Sequence, residues 1–237
     1  MRELTTLTSA LLDPLMAADP MGPRITCYDD ATGERIELST VTLANWAAKT
    51  GNLLRDELGA GPGSRVAVLL PAHWQTAAVL FGIWWIGAEV VLTGDADIAL
   101  CTADRLSDAD DAVDAGDVAV LSLDPFGKPA ADLPVGVTDY ATAVRVHGDQ
   151  IVPERRPGPA LDGRPVAEVL AAAEASAAAQ GFTPGDRVMS TAGWTTAEQL
   201  IDHLLAVYAA GASLVQVTNP DIAALDRRRD TEKVTRG

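Results

Sequence analysis

Apolar residues recur at helical spacing through Leu4, Leu7, Leu11, Leu12 and Leu15, which predicts an amphipathic first helix with one face on the body. Two short extended runs follow at residues 25–28 and 35–38, and Asp29-Asp30-Ala31-Thr32-Gly33 between them supplies the turn chemistry of a hairpin. Ser39 or Thr40 then caps a helix with an apolar face at Leu43, Trp46, Ala47, Leu53, Leu54 and Leu58. Gly59 sits where a left-handed stop residue is favoured. Residues 65–70 read as a strand covered on both faces, because the run after Arg65 is unbroken by polar positions. A helix over 74–86, apolar nearly all round, and a second buried strand near 89–92 complete a βαβ unit.

That unit occurs twice, about 120 residues apart. Gly59-Ala60-Gly61-Pro62-Gly63-Ser64-Arg65-Val66 in the first copy corresponds to Gly181-Phe182-Thr183-Pro184-Gly185-Asp186-Arg187-Val188 in the second. After each Arg-Val come a strand, a loop bearing a tryptophan (Trp74, Trp194), a helix, a Gly-Ala pair (Gly87-Ala88, Gly211-Ala212) and another apolar strand. Between the copies the pattern is less regular. Residues 98–101 and 118–123 read as strands, 139–147 as helical, and 150–164 as a loop rich in Pro, Arg and Gly. The fold class is therefore α/β with two similar βαβ-containing subdomains. It is read as a single unit over residues 1–237 with halves of roughly 1–150 and 151–237.

Composition excludes several function classes. The formal charge of −15 repels a phosphate backbone, and no basic strip with interleaved aromatics overrides it, so nucleic acid is not an expected partner. The most apolar stretch, 77–92, is interrupted by Gly82, Gly87 and Glu89 and falls short of the roughly 20 residues a membrane span needs. Met1-Arg2-Glu3-Leu4 carries an acid and lacks the apolar core of a signal peptide. Cys27 and Cys101 have no CxxC spacing, which indicates neither a disulfide framework nor a thiolate metal site and fits a reducing, cytoplasmic setting.

The residues also carry a resemblance. Positions 38–92, with Gly61-Pro62-Gly63-Ser64-Arg65-Val66-Ala67-Val68-Leu69-Leu70-Pro71 and Gly87-Ala88-Glu89-Val90-Val91-Leu92, look like the N-terminal half of adenylate-forming enzymes: AMP-binding acyl-CoA synthetases, luciferases and peptide-synthetase adenylation domains. The second repeat resembles the next subdomain of the same enzymes, and residues 221–235 resemble the helix and strand start that precede their catalytic core. The middle segment, 122–149, is similar to an actinobacterial group of truncated relatives. The resemblance implies an adenylation fold. Adenylation itself needs a loop rich in Ser, Thr and Gly with a lysine, because a triphosphate must be met by backbone N–H groups and a cation. In the family that loop falls just before the helix read here over 166–179, and the corresponding residues 153–165 contain no Ser, Thr or Lys. The family's later catalytic elements would lie beyond residue 237, so no catalytic residue is carried over.

Other conspicuous residues have plainer readings. Gly59-Ala60-Gly61-Pro62-Gly63 follows a helix and precedes a strand, the reverse of a dinucleotide loop, and reads as a helix stop plus turn. His73, His147 and His203 have no metal-ligand spacing, and the acidic run from Asp104 to Asp117 lacks the glycine of a calcium loop and reads as a solvated face, so no metal is expected. Trp84-Trp85 reads as core, and Arg155-Arg156 as exposed. Trp194 and Thr195 are the candidate substrate-pocket residues, since the family places aromatic residues near its acyl or aryl pocket at that strand end; structural packing is the competing reading for Trp194. The sequence thus points to a non-catalytic binding or assembly protein, cofactor-free and forming a homodimer. The alternative is an AMP-dependent ligase of a carboxylic acid, or a fragment of one, using ATP, AMP or CoA.

Overall fold

The computed structural model describes residues 5–237; Leu4, the first position of the expected helix, and the rest of the segment read against a signal peptide lie outside the described residues. Helix α1 (Leu7–Ala18) is capped by Thr6, whose side chain accepts from the Ser9 amide. Strands β1 (Pro23–Asp29) and β2 (Glu34–Ser39) form the expected hairpin, and Ser39 caps α2 (Thr40–Asp56) by accepting from the Thr42 amide. Gly59 stands at φ +68°, the left-handed stop. Strand β3 (Arg65–Leu69), helix α3 (Trp74–Trp85) and strand β4 (Glu89–Val91) are the first βαβ unit.

Strand β5 (Ala96–Cys101), helix α4 (Leu106–Ala112) and strand β6 (Val113–Val120) follow, with the carboxylates of the acidic run exposed on α4 and on the outer part of β6. Strand β7 (Thr138–Asp139) leads into a single helical turn, α5 (Tyr140–Ala143). The segment expected to be loop over 150–164 instead contains strand β8 (Pro159–Leu161) and the start of β9 (Arg164–Pro165). Asp162 and Gly163, at φ +45° and +80°, make the two-residue hairpin turn between them. Sequence reading missed this because a three-residue strand containing Pro159 carries no period.

Helix α6 (Val166–Gln180) ends at the left-handed Gly181 and is followed by β10 (Arg187–Ser190). Helices α7 (Ala197–Leu200) and α8 (Ala206–Ala209) are joined through a π-turn at Ile201–Leu205, and β11 (Ser213–Thr218) and α9 (Ile222–Glu232) complete the chain.

Each repeat seeds its own sheet. In the seven-stranded sheet, order β7-β6-β5-β3-β4-β8-β9, Arg65 on β3 lies opposite Glu89 on β4; in the four-stranded sheet, order β10-β11-β1-β2, Arg187 lies opposite Ser213. The sheets nevertheless do not follow a division near residue 150, because β1 pairs parallel with β11, Ile25 beside Leu214. The expected strand start in the tail is a parallel bridge of Arg236 to Val188 on the edge of β10.

Alternation along the strands assigns the layers. Val66 and Val68 face a large buried cluster shared with α1, α2, α3, α6 and α8, which reaches Ile25 and Leu214 of the other sheet. Ala67 and Leu69 face a second cluster under α4. Met189, Val215 and Val217 face α9 on the far side of the smaller sheet. There Glu232, buried at the end of α9, accepts from Tyr28 at 2.5 Å, Arg35 at 2.9 Å and Arg187 at 2.5 Å. Burial alone would raise the Glu232 carboxyl, but those donors outweigh it and hold its pKa down at about 2.

Helices α2 and α3 touch backbone to backbone at Gly82, where a Cβ would stand 2.8 Å from the Ala47 carbonyl oxygen and 2.9 Å from the Gly51 nitrogen. Helix propensity alone makes Gly82→Ala stabilising by roughly 1 kcal/mol. Overpacking in a close-packed core costs about 1–3 kcal/mol. Urea denaturation of Gly82→Ala should therefore show a net loss of stability; a gain would refute the close approach.

Candidate functional site

The loops at the carboxyl ends of the larger sheet converge on a crevice, the end where open parallel sheets bind ligands. After β3 the chain turns through Pro71 and Ala72, and His73 caps α3, its Nδ1 accepting from the Gln75 amide at 3.3 Å. This places Trp74 against Trp46 of α2, edge to face, with ring centroids 5.6 Å apart. Tyr140, at the start of α5, is oriented by a 2.6 Å hydrogen bond between its hydroxyl and that of Thr50. Together with Phe126 these rings enclose a cavity of about 170 Å³. Four of the chain's 5 Trp, 3 Tyr and 3 Phe thus meet in one small space, a far higher aromatic density than the 5% of the whole chain.

Polar groups position the mouth. The Gln75 amide donates to the Asp124 carbonyl oxygen at 3.1 Å, and the Arg145 guanidinium donates to the carbonyl oxygens of Phe126 and Gly127. Phe126 itself is 80% exposed at the lip. Across that lip opens a wider cleft of about 580 Å³, lined by Asp29, Glu34 and Asp124. Glu34 titrates above its usual range, first through burial and then through the charges of Asp29 and Asp124. His73 Nε2 stands 3.5 Å from Glu34, yet burial pulls the imidazole pKa down to about 4, so it is neutral at physiological pH. The imidazole is 8% exposed and packs beside Trp74, ring centroids 5.6 Å apart.

The segment aligned with the family's phosphate loop has a different architecture. Its backbone runs beside β4, the Glu154 amide donating to Trp85 O and the Gly158 amide to Gly87 O. The Glu154 carboxylate takes the amides of Arg155 and Arg156, each at 2.8 Å, while both arginine side chains remain exposed. At the hairpin turn, Glu89, 7% exposed, accepts from the Gly163 amide, and Asp162 accepts from the Leu92 amide at 3.0 Å. Three amides of this segment, those of Arg155, Arg156 and Gly163, are thus engaged by carboxylates.

Comparison with known proteins agrees with this fold. A TIGR03089 family protein of Mycobacterium tuberculosis (strain H37Rv) is 72% identical over 237 residues, covering 98% of each chain. This chain belongs to the TIGR03089 family. No protein-family model matches it. Among solved structures, a Brucella canis acyl-CoA synthetase superposes with a TM-score of 0.79 at 19% identity, over 97% of this chain and 46% of that one. The anthranilate CoA ligase AuaEII, in complex with anthranoyl-AMP, gives 0.74 at 14% identity over 91% and 45%. A benzoate CoA ligase from Burkholderia xenovorans LB400 gives 0.73 at 16% identity over 95% and 48%. The TIGR03089 chain thus has the fold of the front part of acyl-CoA synthetases and spans about half their length.

The residues singled out from sequence are dispersed. Trp194 is 3% exposed within the main core, its indole N–H without an acceptor among the described residues. Thr195 is exposed and bonded to Gln199 at 2.9 Å, and neither residue lines the aromatic cavity or the acidic cleft. Trp84 is core, as expected, with its indole donating to Ala160 O at 2.7 Å. Among the described residues, no group of three His, Cys, Asp or Glu side chains is arranged to hold a metal ion.

The neutral His73 makes stability depend on pH. Its folded pKa of about 4 lies below the unfolded value near 6.5, so the contribution is complete above about pH 6.5 and is lost as pH falls toward 4. Denaturant titration should show about 1.4 kcal/mol less stability from this group at pH 5.5 than at pH 7.5. His73→Asn, which retains a capping side chain, should remove that share of the pH dependence; an unchanged profile would exclude His73 as its source.

Proposed function

We propose that this chain is a non-catalytic, cytoplasmic binding and assembly domain on the acyl-CoA synthetase fold, taking its ligand at the aromatic crevice. One observation carries the reading: in the segment at the phosphate-loop position the Arg155 and Arg156 amides already serve Glu154, and the Gly163 amide of the hairpin turn serves Glu89. A triphosphate brought there would meet carboxylates where it needs N–H groups and a cation, and like charges at close range repel it. No Ser, Thr or Lys in residues 153–165 supplies a substitute. The rival reading, an ATP-dependent ligase of a carboxylic acid or a fragment of one, draws on the fold shared with the anthranilate and benzoate CoA ligases. It requires a phosphate cradle from outside this hairpin.

ATP–pyrophosphate exchange over a panel of carboxylic acids separates the two. The binding reading expects no exchange above buffer background, and exchange with any acid would overturn it. For assembly, a second copy is the proposed partner, because β10 is an edge strand that its own tail meets at Thr235 and Arg236. Sedimentation at tens of micromolar should show a dimer, and monomer alone would end that part of the proposal.

A further inference from the structure

The two connected spaces at the carboxyl ends of the larger sheet differ in chemistry, and the difference specifies a ligand. The inner cavity, about 170 Å³, is walled by the faces and edges of Trp46, Trp74 and Tyr140, a volume suited to one six-membered ring. The outer cleft shares Pro125 and Phe126 with it and presents Asp29 and Glu34, while Asp124 on the same wall is met by Lys128 at 4.0 Å and accepts from the Phe126 and Lys128 amides. Among the described residues, no Lys or Arg is paired with Glu34. Its neighbour His73 is buried and neutral, while Arg35, on the same wall, is engaged by Glu37 at 3.0 Å and Glu232 at 2.9 Å. Arg145, on the inner wall, is turned to the carbonyl oxygens of the lip. Aromatic faces attract organic cations, and the net charge of −15 adds a long-range field of the same preference.

We propose that this crevice binds a small arylalkylamine, its ring in the aromatic cavity and its ammonium group at the Glu34 carboxylate. The inference deepens the binding reading above by naming its ligand class. Phe126, largely exposed at the lip between the two spaces, is placed to cover the linker of such a molecule and to lose its own solvent contact in doing so. A carboxylate of the same shape would set its charge against Glu34.

Calorimetric titration of the full chain with 2-phenylethylamine, 3-phenylpropionate and methylamine tests this. Binding of 2-phenylethylamine with quenching of tryptophan emission is expected. The isosteric acid, which reverses the charge, and methylamine, which lacks the ring, should each bind at least about tenfold more weakly. Glu34→Gln should weaken 2-phenylethylamine by about tenfold while leaving thermal unfolding close to wild type. Three results would overturn the assignment: no binding of the amine, equal or tighter binding of the acid, or an unchanged affinity in Glu34→Gln. Should that variant fail to fold, the comparison of amine with acid on the wild-type chain decides alone. The outcome is independent of pyrophosphate exchange, so a ligand of another class would leave the non-catalytic reading standing, and exchange activity would leave the amine site standing.

Discussion

Every residue of α3 from Trp74 to Trp85 is buried, and a helix without a solvent face is stable only where other elements cover it all round. Its surroundings are α2, approaching at Gly82 to backbone contact, α1, whose Thr8 hydroxyl donates to Phe81 O at 2.6 Å, and the two sheets. The order of layers follows: α4, the larger sheet, the helices, the smaller sheet, α9. Because α3 begins at the end of β3, fixing it also fixes Trp74 against Trp46 and thereby the aromatic walls of the crevice. The crevice is a consequence of the middle layer.

Backbone amides left free at a turn attract anions, and the protein can answer that attraction with a ligand or with its own side chains. Here the second answer is used at three amides before α6, those of Arg155 and Arg156 going to Glu154 and that of Gly163 to Glu89. The carboxylates thereby give the segment local order.

The outer face of the smaller sheet is held differently. Its apolar cluster under α9 is small, and the helix is secured by charge: Glu232 to Arg35 and Arg187, and Arg228 to Asp30 at 2.6 Å with its guanidinium 4.1 Å from the Tyr28 ring centroid. The network is shared, since Glu37 also meets Arg35 at 3.0 Å and Arg187 at 3.1 Å. At the aromatic crevice, by contrast, Glu34 is paired with no Lys or Arg among the described residues.

Local order was legible in the chain because its causes are local. Apolar spacing marked α1, α2 and α3, Ser39 and Gly59 marked the two ends of a helix, and the repeated Pro-Gly and Gly-Ala signals marked both βαβ units, which do seed separate sheets. The absence of Ser, Thr and Lys from residues 153–165 was also plain. Tertiary structure decided what depends on distant residues: β1 beside β11, a pairing across nearly the whole chain, and the gathering of Trp46, Trp74, Phe126 and Tyr140 from separate elements. Trp194 illustrates the limit, for a strand-end tryptophan has the same local signal whether it lines a pocket or fills a core. A period of two or 3.6 residues reports which face of an element is apolar, whereas the partner of that face is chosen by packing among residues that the sequence holds far apart.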